Sequence, residues 1–142
     1  MGIQALYEQY HTQVQFLNIY IREAHPIDGW WLGRRLTKPI ITRLFSYPRA
    51  SMEHYDPQTI AERRAVAGEC QRALDYGIRS YVDELDDRVN HAYAAWPTRF
   101  YLIGLDGRVV LAGGLGPYGF KPAKLQAAIA AYLAAQKLEI SA

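Results

Sequence analysis

Cysteine is scarce in this sequence. Cys70 is the one cysteine among 142 residues, so the chain cannot form an internal disulfide. This usage fits a reducing compartment, and we expect the protein to be in the cytoplasm. Cys70 falls in the middle of a predicted helix, on its apolar face, where a free cysteine usually packs as a small hydrophobic residue. A reactive or resolving thiol is the alternative interpretation.

Long apolar runs and a large charge of one sign are absent as well. No apolar run approaches the roughly 20 residues of a membrane-spanning helix, and the N-terminus lacks the regions of a signal peptide. The net charge of +2 is too small to indicate nucleic-acid binding. Half of the residues are apolar and the length is that of an ordinary globular domain, so we expect a single domain over residues 1–142.

The first half of the chain predicts a helix, a strand and a second helix. "GIQALYEQY" has apolar residues at helical spacing, and residues 14–21 lack polar alternation, as in a strand covered on both faces. Thr59 and Glu62 form a capping box that starts the second helix, and Gly77 ends it. The predicted inner face of that helix consists of Ile60, Ala67, Cys70 and Leu74.

The second half predicts a strand, a short helix, a hairpin and a final helix. The strand covers residues 78–82, and Asp86 or Asp87 caps the short helix. "FYLIGL" and "RVVLAG" flank Asp106-Gly107, a strong hairpin signal. Pro122 fits the first turn of the last helix, whose apolar positions are Leu125, Ile129, Tyr132 and Leu133. This order predicts an α/β protein with a mixed sheet and flanking helices.

"WPTRFYLIGLDGRVVLAGG", residues 96–114, narrows the fold class. A proline before a strand, followed by a hairpin and a C-terminal helix, resembles the second half of a thioredoxin fold. That resemblance implies a cis Trp96–Pro97 bond facing a redox site, whereas most X–Pro bonds are trans. We therefore expect a thioredoxin-like mixed sheet and a cis bond at Pro97.

Three blocks of sequence resemble the iodothyronine deiodinase family, including its bacterial relatives. "YIREAHPIDGW" matches the family pattern Y-I-x-E-A-H-P-x-D-G-W, which follows a strand. "DRVNHAYAAWPTRFYLI" is similar to N-x-x-x-A-Y-G-A-x-P-E-R-L-Y-V-I, and "GGLGPYGFKP" is similar to G-G-x-G-P-x-G-Y-x-P. The resemblance covers residues 3–31 and 58–134 and implies a thioredoxin-like oxidoreductase that performs reductive dehalogenation or related thiol or selenol chemistry.

The resemblance also implies a nucleophile that this sequence does not contain. In the family a selenocysteine or cysteine follows the central strand, and its position corresponds to a point shortly before Met1 here. We therefore expect an N-terminally truncated chain that lacks the first βα portion and is inactive as it stands. An in-frame extension encoding a strand and the nucleophile should precede Met1. The expected electron donor is a thiol reductant, and no cofactor or metal is predicted.

The residues at the end of the first predicted strand suit such chemistry. His25 titrates near neutral pH and can donate a proton, and Glu23 can orient its imidazole. Trp30 can stack on an aromatic substrate, and the resemblance adds Asp28 to the substrate-binding set. The alternative is that Glu23 and Asp28 cap turns while the indole closes the core.

Arg99 and Pro97 complete the predicted site. The resemblance implies that Arg99 clamps a substrate carboxylate, to which a planar guanidinium is suited, with Pro97 beside it. An arginine paired with an acid such as Asp83 is the alternative. Vertebrate members carry a second histidine before the helix that starts here at Thr59, whereas this sequence has Pro57 near that position and His54 three residues earlier.

Residues 32–57 predict an irregular basic insert. Its segment 32–52 has no acidic residue and five basic ones, namely Arg34, Arg35, Lys38, Arg43 and Arg49. It could dock an acidic partner or a membrane surface, or lie as a solvated loop. A homodimer is a further possible assembly.

Two functional hypotheses of different classes remain open. The first is a deiodinase-like oxidoreductase acting on a small aromatic or halogenated substrate, with a thiol-dependent peroxidase or reductase as its variant. The second is a nucleophile-free thioredoxin-like module for binding or assembly, whose exposed strand edges a partner would cover.

Overall fold

A computed structural model describes residues 2–24, 26, 54–75 and 77–140. These residues form four helices and four strands in the predicted order, and the chain divides into two compact units. Residues 1–16 and 93–142 make up the terminal unit, and residues 17–92 make up the middle unit. The elements are α1 (Ile3–Tyr10), β1 (Leu17–Tyr20), α2 (Ile60–Leu74), β2 (Arg79–Val82), α3 (Arg88–Tyr93), β3 (Tyr101–Ile103), β4 (Val109–Ala112) and α4 (Pro122–Ile140).

The terminal unit packs α1 and α4 with the β3–β4 hairpin. The two strands are antiparallel, with Tyr101 opposite Ala112, and the register shifts after Leu102. Gly107 has φ +79°, which confirms the predicted Asp106-Gly107 turn. The buried apolar cluster consists of Leu6, Tyr10, Leu102, Leu125 and Ile129. The apolar spacing in α1 and α4 therefore predicted the faces that form this core.

The middle unit is built on a parallel pair of strands. β1 and β2 pair from Leu17 opposite Arg79 to Tyr20 opposite Val82, and α2 packs against β2. The Thr59–Glu62 capping box is confirmed, because the Thr59 hydroxyl accepts the Glu62 N–H and the Glu62 carboxylate accepts the Thr59 N–H. Parallel strands end at the same edge, so the segments that leave β1 and β2 lie side by side.

The predicted C-terminus and inner face of α2 are partly wrong. The helix ends at Leu74, and Asp75 takes the left-handed conformation at φ 40°, ahead of Gly77. The buried positions are Arg63, Val66 and Ala67, whereas Leu74 is exposed. The sequence pattern favoured apolar residues, but the buried face includes an arginine because backbone carbonyls receive its guanidinium.

The prediction that the first strand is covered on both faces is wrong. β1 is limited to four residues, and Leu17 and Ile19 are 55% and 40% exposed. The helix of this unit packs against β2 and leaves these β1 side chains accessible. Apolar runs of this kind are typical of parallel strands with two covered faces, so the exposure could not be read from the pattern.

Within the described ranges, no helix is long and apolar enough to cross a membrane.

Candidate functional site

Glu23 lies just beyond the carboxyl end of β1 and is held by two donors. The Tyr20 hydroxyl donates to Glu23 Oε2 at 3.0 Å, and the Ala24 N–H donates to Glu23 Oε1 at 3.0 Å. Burial and the neighbouring Glu23 carboxylate raise the pKa of Tyr20 far above its ordinary value, so the phenol stays a donor at every physiological pH. The structure thus gives Glu23 a defined orientation at the edge where ligands of open α/β sheets usually bind.

Three of the predicted site residues, His25, Asp28 and Trp30, lie outside the described residues. Pro26, between them in the sequence, is buried. The predicted pairing of Glu23 with His25 therefore stays a prediction. The basic segment 32–52 also lies outside the described residues, and 54–57 form no helix or strand.

Cys70 is half-buried on α2 and belongs to the electrostatic neighbourhood of Glu23. Burial raises the pKa of the Cys70 thiol, and the Glu23 and Glu69 carboxylates raise it further. Because the thiolate is the nucleophilic form, these surroundings make Cys70 a poor nucleophile near neutral pH and favour its packing role. Glu69, the residue before Cys70, has its Oε2 atom 3.4 Å from His54 Nε2.

Asp83 is the first residue after the end of β2. Its N–H donates to the Tyr20 carbonyl at 2.8 Å, so the edges of both strands meet there. The buried Asp83 carboxylate accepts the N–H groups of Glu84, Val89 and Asn90 at 3.0, 3.1 and 2.9 Å. Asp83 therefore supplies the main cap of α3, and the predicted Asp86 adds one bond, because its Oδ1 accepts the Arg88 N–H at 3.3 Å. Its position directly after a predicted strand was the signal that could have identified it.

A chain of charges crosses the same edge. Arg63, which is 3% exposed, donates from Nη1 to the Glu84 carbonyl at 2.6 Å and to Asp87 Oδ1 at 2.8 Å. Arg22 Nη1 lies 3.7 Å from Asp87 Oδ2, and Arg22 Nη2 donates to Asp56 Oδ2 at 2.6 Å. Sequence reasoning missed these residues, because an arginine on an apolar helix face gives no local signal. Among the described residues, no group of His, Cys, Asp and Glu is arranged to hold a metal ion.

Pro97 and Arg99 lie in the terminal unit. The Trp96–Pro97 bond is cis, which confirms the prediction. Arg99 Nε donates to the Gly113 carbonyl at 2.6 Å, and its guanidinium lies 5.1 Å from the centre of the Tyr101 ring. Arg99 Nη1 is 3.5 Å from the carbonyl oxygens of Tyr93 and Ala94, at the limit of a hydrogen bond. These contacts fix the direction of the Arg99 side chain through Nε.

The glycine-rich stretch after β4 packs against the segment that follows Pro97. The Gly116 N–H donates to the Thr98 carbonyl at 2.9 Å, and a methyl group on Gly116 would collide with Thr98 Cγ2. Gly116 is therefore required by close packing against protein atoms, which supports a structural turn.

The element order, the parallel strand pair, the hairpin and the helices define a thioredoxin-like α/β protein. A model of the family "Iodothyronine deiodinase" matches residues 2–133. The chain belongs to the iodothyronine deiodinase family, as its sequence motifs predicted.

Among its relatives are three enzymes named thyroxine 5-deiodinase. That of Sparus aurata is 32% identical over 125 residues, which are 88% of this chain and 40% of the relative. That of Aquarana catesbeiana is 35% identical over 111 residues, 78% of this chain and 35% of the relative. That of Homo sapiens is 30% identical over 125 residues, which are 88% of this chain and 36% of the relative. The chain thus spans two fifths or less of the length of these relatives.

Proposed function

We propose that this chain supplies the acid–base and substrate-binding residues of a thiol-dependent reductive dehalogenase acting on an iodinated aromatic compound. The observation that carries the proposal is the fixed Glu23 carboxylate at the end of β1, inside the stretch that matches the deiodinase pattern. The relatives are named for thyroxine, so an iodothyronine is the first substrate to test.

The reaction needs a nucleophile, a proton and a reductant. A selenol or thiol takes the iodine as the carbon–iodine bond breaks, and the carbon receives a proton. A thiol reductant then attacks the resulting selenium–iodine or sulfur–iodine bond, which releases iodide and leaves a mixed disulfide or selenenyl sulfide. A second thiol resolves this product and restores the nucleophile, so two thiols are oxidised for each halogen removed.

His25 is the proposed proton donor, and Glu23 is proposed to orient it. A histidine with a carboxylate beside it is suited to proton transfer near neutral pH. The Tyr20 hydroxyl and the Ala24 N–H leave Glu23 few alternative orientations, which supports its role as the orienting group. Trp30 and Asp28 are proposed to contact the aromatic substrate.

Arg99 is proposed to bind a substrate carboxylate, with Pro97 beside it. The Gly113 carbonyl occupies Nε at 2.6 Å, whereas the contacts of Nη1 are long. The terminal nitrogens, Nη1 and Nη2, are therefore the donors with which the guanidinium can bind an anion. The Tyr101 ring at 5.1 Å supports the plane of the guanidinium.

The nucleophile is proposed to lie outside these 142 residues. Cys70 is the one cysteine, and its raised thiol pKa makes it unsuitable. We propose that the reaction takes place in a reducing compartment such as the cytoplasm, where a thiol donor is present.

Iodide release tests the proposal. The 142-residue chain should release no iodide from thyroxine with dithiothreitol, whereas the protein expressed from its natural gene with flanking DNA should release it. In the active protein, His25→Ala should lower the rate of the chemical step by about 10²–10⁴-fold, and Cys70→Ser should leave it unchanged. Consumption of hydrogen peroxide without iodide release would indicate the peroxidase variant instead.

A binding or assembly module is the second candidate, favoured by the exposed apolar side chains of β1. Leu17 and Ile19 are accessible on a parallel strand, a class of strand that is usually covered on both faces. A native protein of 142-residue mass that co-purifies with one partner in fixed ratio and lacks iodide release would establish this candidate and reject the first.

A further inference from the structure

The segment that leaves β1 carries two neighbouring side chains with different tasks. Glu23 receives the Tyr20 hydroxyl and the Ala24 N–H, both at 3.0 Å. Arg22, the residue before it, contacts two acidic side chains instead: its Nη2 lies 2.6 Å from Asp56 Oδ2 and its Nη1 lies 3.7 Å from Asp87 Oδ2. The segment 20–24 is therefore held by the contacts of two consecutive side chains, Arg22 and Glu23.

The anchor of Arg22 is itself fixed in place. Asp87 Oδ1 accepts Arg63 Nη1 at 2.8 Å, and the side chains of Arg63 and Asp87 are 4% and 13% exposed. The Asp87 N–H donates to the Glu84 carbonyl and its own carbonyl accepts the His91 N–H, at 3.0 and 2.8 Å. Two backbone hydrogen bonds fix the main chain of Asp87 and a buried cation fixes its carboxylate, so Asp87 provides a rigid reference point for Arg22.

We propose that Arg22, anchored on Asp87 and Asp56, is a positioning residue that holds Glu23 in its orientation at the end of β1. The proposal rests on the proposed function, in which Glu23 belongs to the site. Arg22 acts only through the backbone it shares with Glu23, and it has no direct part in the chemistry.

The residues permit substitutions that test the anchor without altering the backbone. Asp87 has φ 52°, a left-handed conformation that Asn tolerates nearly as well as Asp. Asp87→Asn therefore removes the charge and keeps the backbone, but it also removes the counter-ion of Arg63, so the readouts below use Arg22→Met. Arg22→Met removes the link and keeps an unbranched apolar stem, with Arg63 and Asp87 still paired. The matched controls are Asp86→Asn and Arg88→Met, from the adjacent exposed pair at 3.2 Å.

Hydrogen exchange of the Ala24 amide is the direct readout. That amide donates to Glu23, so its protection reports the orientation of the carboxylate. Arg22→Met should lower the protection of Ala24 at least tenfold and leave the Asp83 amide, bonded to the Tyr20 carbonyl, unchanged. Arg88→Met should change neither amide. Equal protection of Ala24 in the wild-type and Arg22→Met chains would overturn the proposal, and so would a parallel loss at Ala24 and Asp83.

The pH profile of Cys70 alkylation gives a second readout that a merely structural role would not move. Glu23 is one of the groups that raise the pKa of this thiol. Release of Glu23 should lower the pKa of the Cys70 thiol, so the alkylation profile should move to lower pH and alkylation at pH 8 should become several-fold faster. A fall of one unit in that pKa can raise the thiolate concentration at most about tenfold. Glu23→Gln should give the same shift, and Arg22→Met should add nothing to it. Both readouts work on the 142-residue chain without turnover, so their outcome is independent of whether the chain belongs to a dehalogenase.

Discussion

At the scale of single residues, Arg63 shows how a charge becomes part of an interior. Its guanidinium is buried on α2, yet Nη1 has the Glu84 carbonyl at 2.6 Å and the Asp87 carboxylate at 2.8 Å. A buried charge is tolerated only with such compensation, because desolvation of an unpaired ion costs several kcal/mol. The pair with Asp87 therefore connects α2 to the start of α3.

Removing one member of this buried pair should be costly. We expect Arg63→Met to reduce the free energy of unfolding by about 3–5 kcal/mol, since Asp87 is then left without its principal counter-ion. Urea denaturation followed by circular dichroism measures the change. Arg88→Met is the control: its pair with Asp86 is exposed, so about 0–1 kcal/mol is expected. Equal losses for the two variants would contradict the distinction between buried and exposed pairs.

At the scale of elements, the start of α2 is specified by its own sequence. The Thr59 hydroxyl accepts the Glu62 N–H at 3.2 Å, and the Glu62 carboxylate accepts the N–H groups of Gln58 and Thr59 at 2.8 and 3.0 Å. These donors satisfy backbone groups that the first turn of a helix leaves without partners. Both backbone donors also lower the pKa of Glu62.

Thr59→Ala should destabilise the middle unit by about 0.5–2 kcal/mol, because one cap is lost.

The contribution of Glu62 should depend on pH with a definite sign. Its pKa is lower in the folded chain than in the unfolded one, so the stabilisation is complete above the ordinary pKa range of glutamate. It is lost as the pH falls through the lowered value. Glu62→Gln should abolish this part of the acid dependence in urea titrations at several pH values, and an unchanged dependence would contradict it.

The loop after β4 is an element in which packing decides the residue. Gly116 approaches Thr98 so closely that a methyl group cannot be accommodated without movement of the Thr98 side chain. We expect Gly116→Ala to cost about 1–3 kcal/mol, the usual effect of inserting an atom group into a filled site. Gly2→Ala is a suitable control, since a methyl group there has no neighbour within 4 Å. Thermal unfolding of both variants checks the difference, and an equally small effect at both positions would refute it.

At the scale of the whole molecule, exposed apolar side chains on β1 affect behaviour in solution. Leu17 and Ile19 are accessible on a strand that, among the described residues, pairs with no strand other than β2. An accessible apolar strand of this kind favours association with other chains. The feature bears on the purification of the 142-residue chain as well as on its proposed functions.

Leu17→Glu should reduce self-association of the 142-residue chain with little change in stability. The residue opposite it in the strand register is Arg79, which offers the new carboxylate an opposite charge. Sedimentation velocity over a range of concentrations measures the effect. The control is Leu138→Glu, an equally apolar residue on α4 that is 73% exposed and lies outside the strands. The same reduction in both variants would show that added charge, and not the strand, is responsible.

The sequence by itself determined those features that depend on neighbours along the chain. The apolar spacing of α1 and α4, the Thr59–Glu62 box and the Asp106-Gly107 turn are local patterns, and each element forms where its pattern predicts. The family motifs were equally readable, and they identified Glu23, Pro97 and Arg99 as candidates before any geometry was known.

Only the tertiary structure decided which groups surround those residues. The burial of Arg63 depends on carbonyls about twenty positions away, the cap of α3 comes from Asp83, and Glu23 is fixed by Tyr20 across the end of a strand. The exposure of Leu17 likewise depends on where α2 packs. A hydrogen bond or a covering side chain from a distant part of the chain leaves no periodic trace in the local sequence. These contacts are therefore visible only in the folded chain and cannot be read from the local sequence.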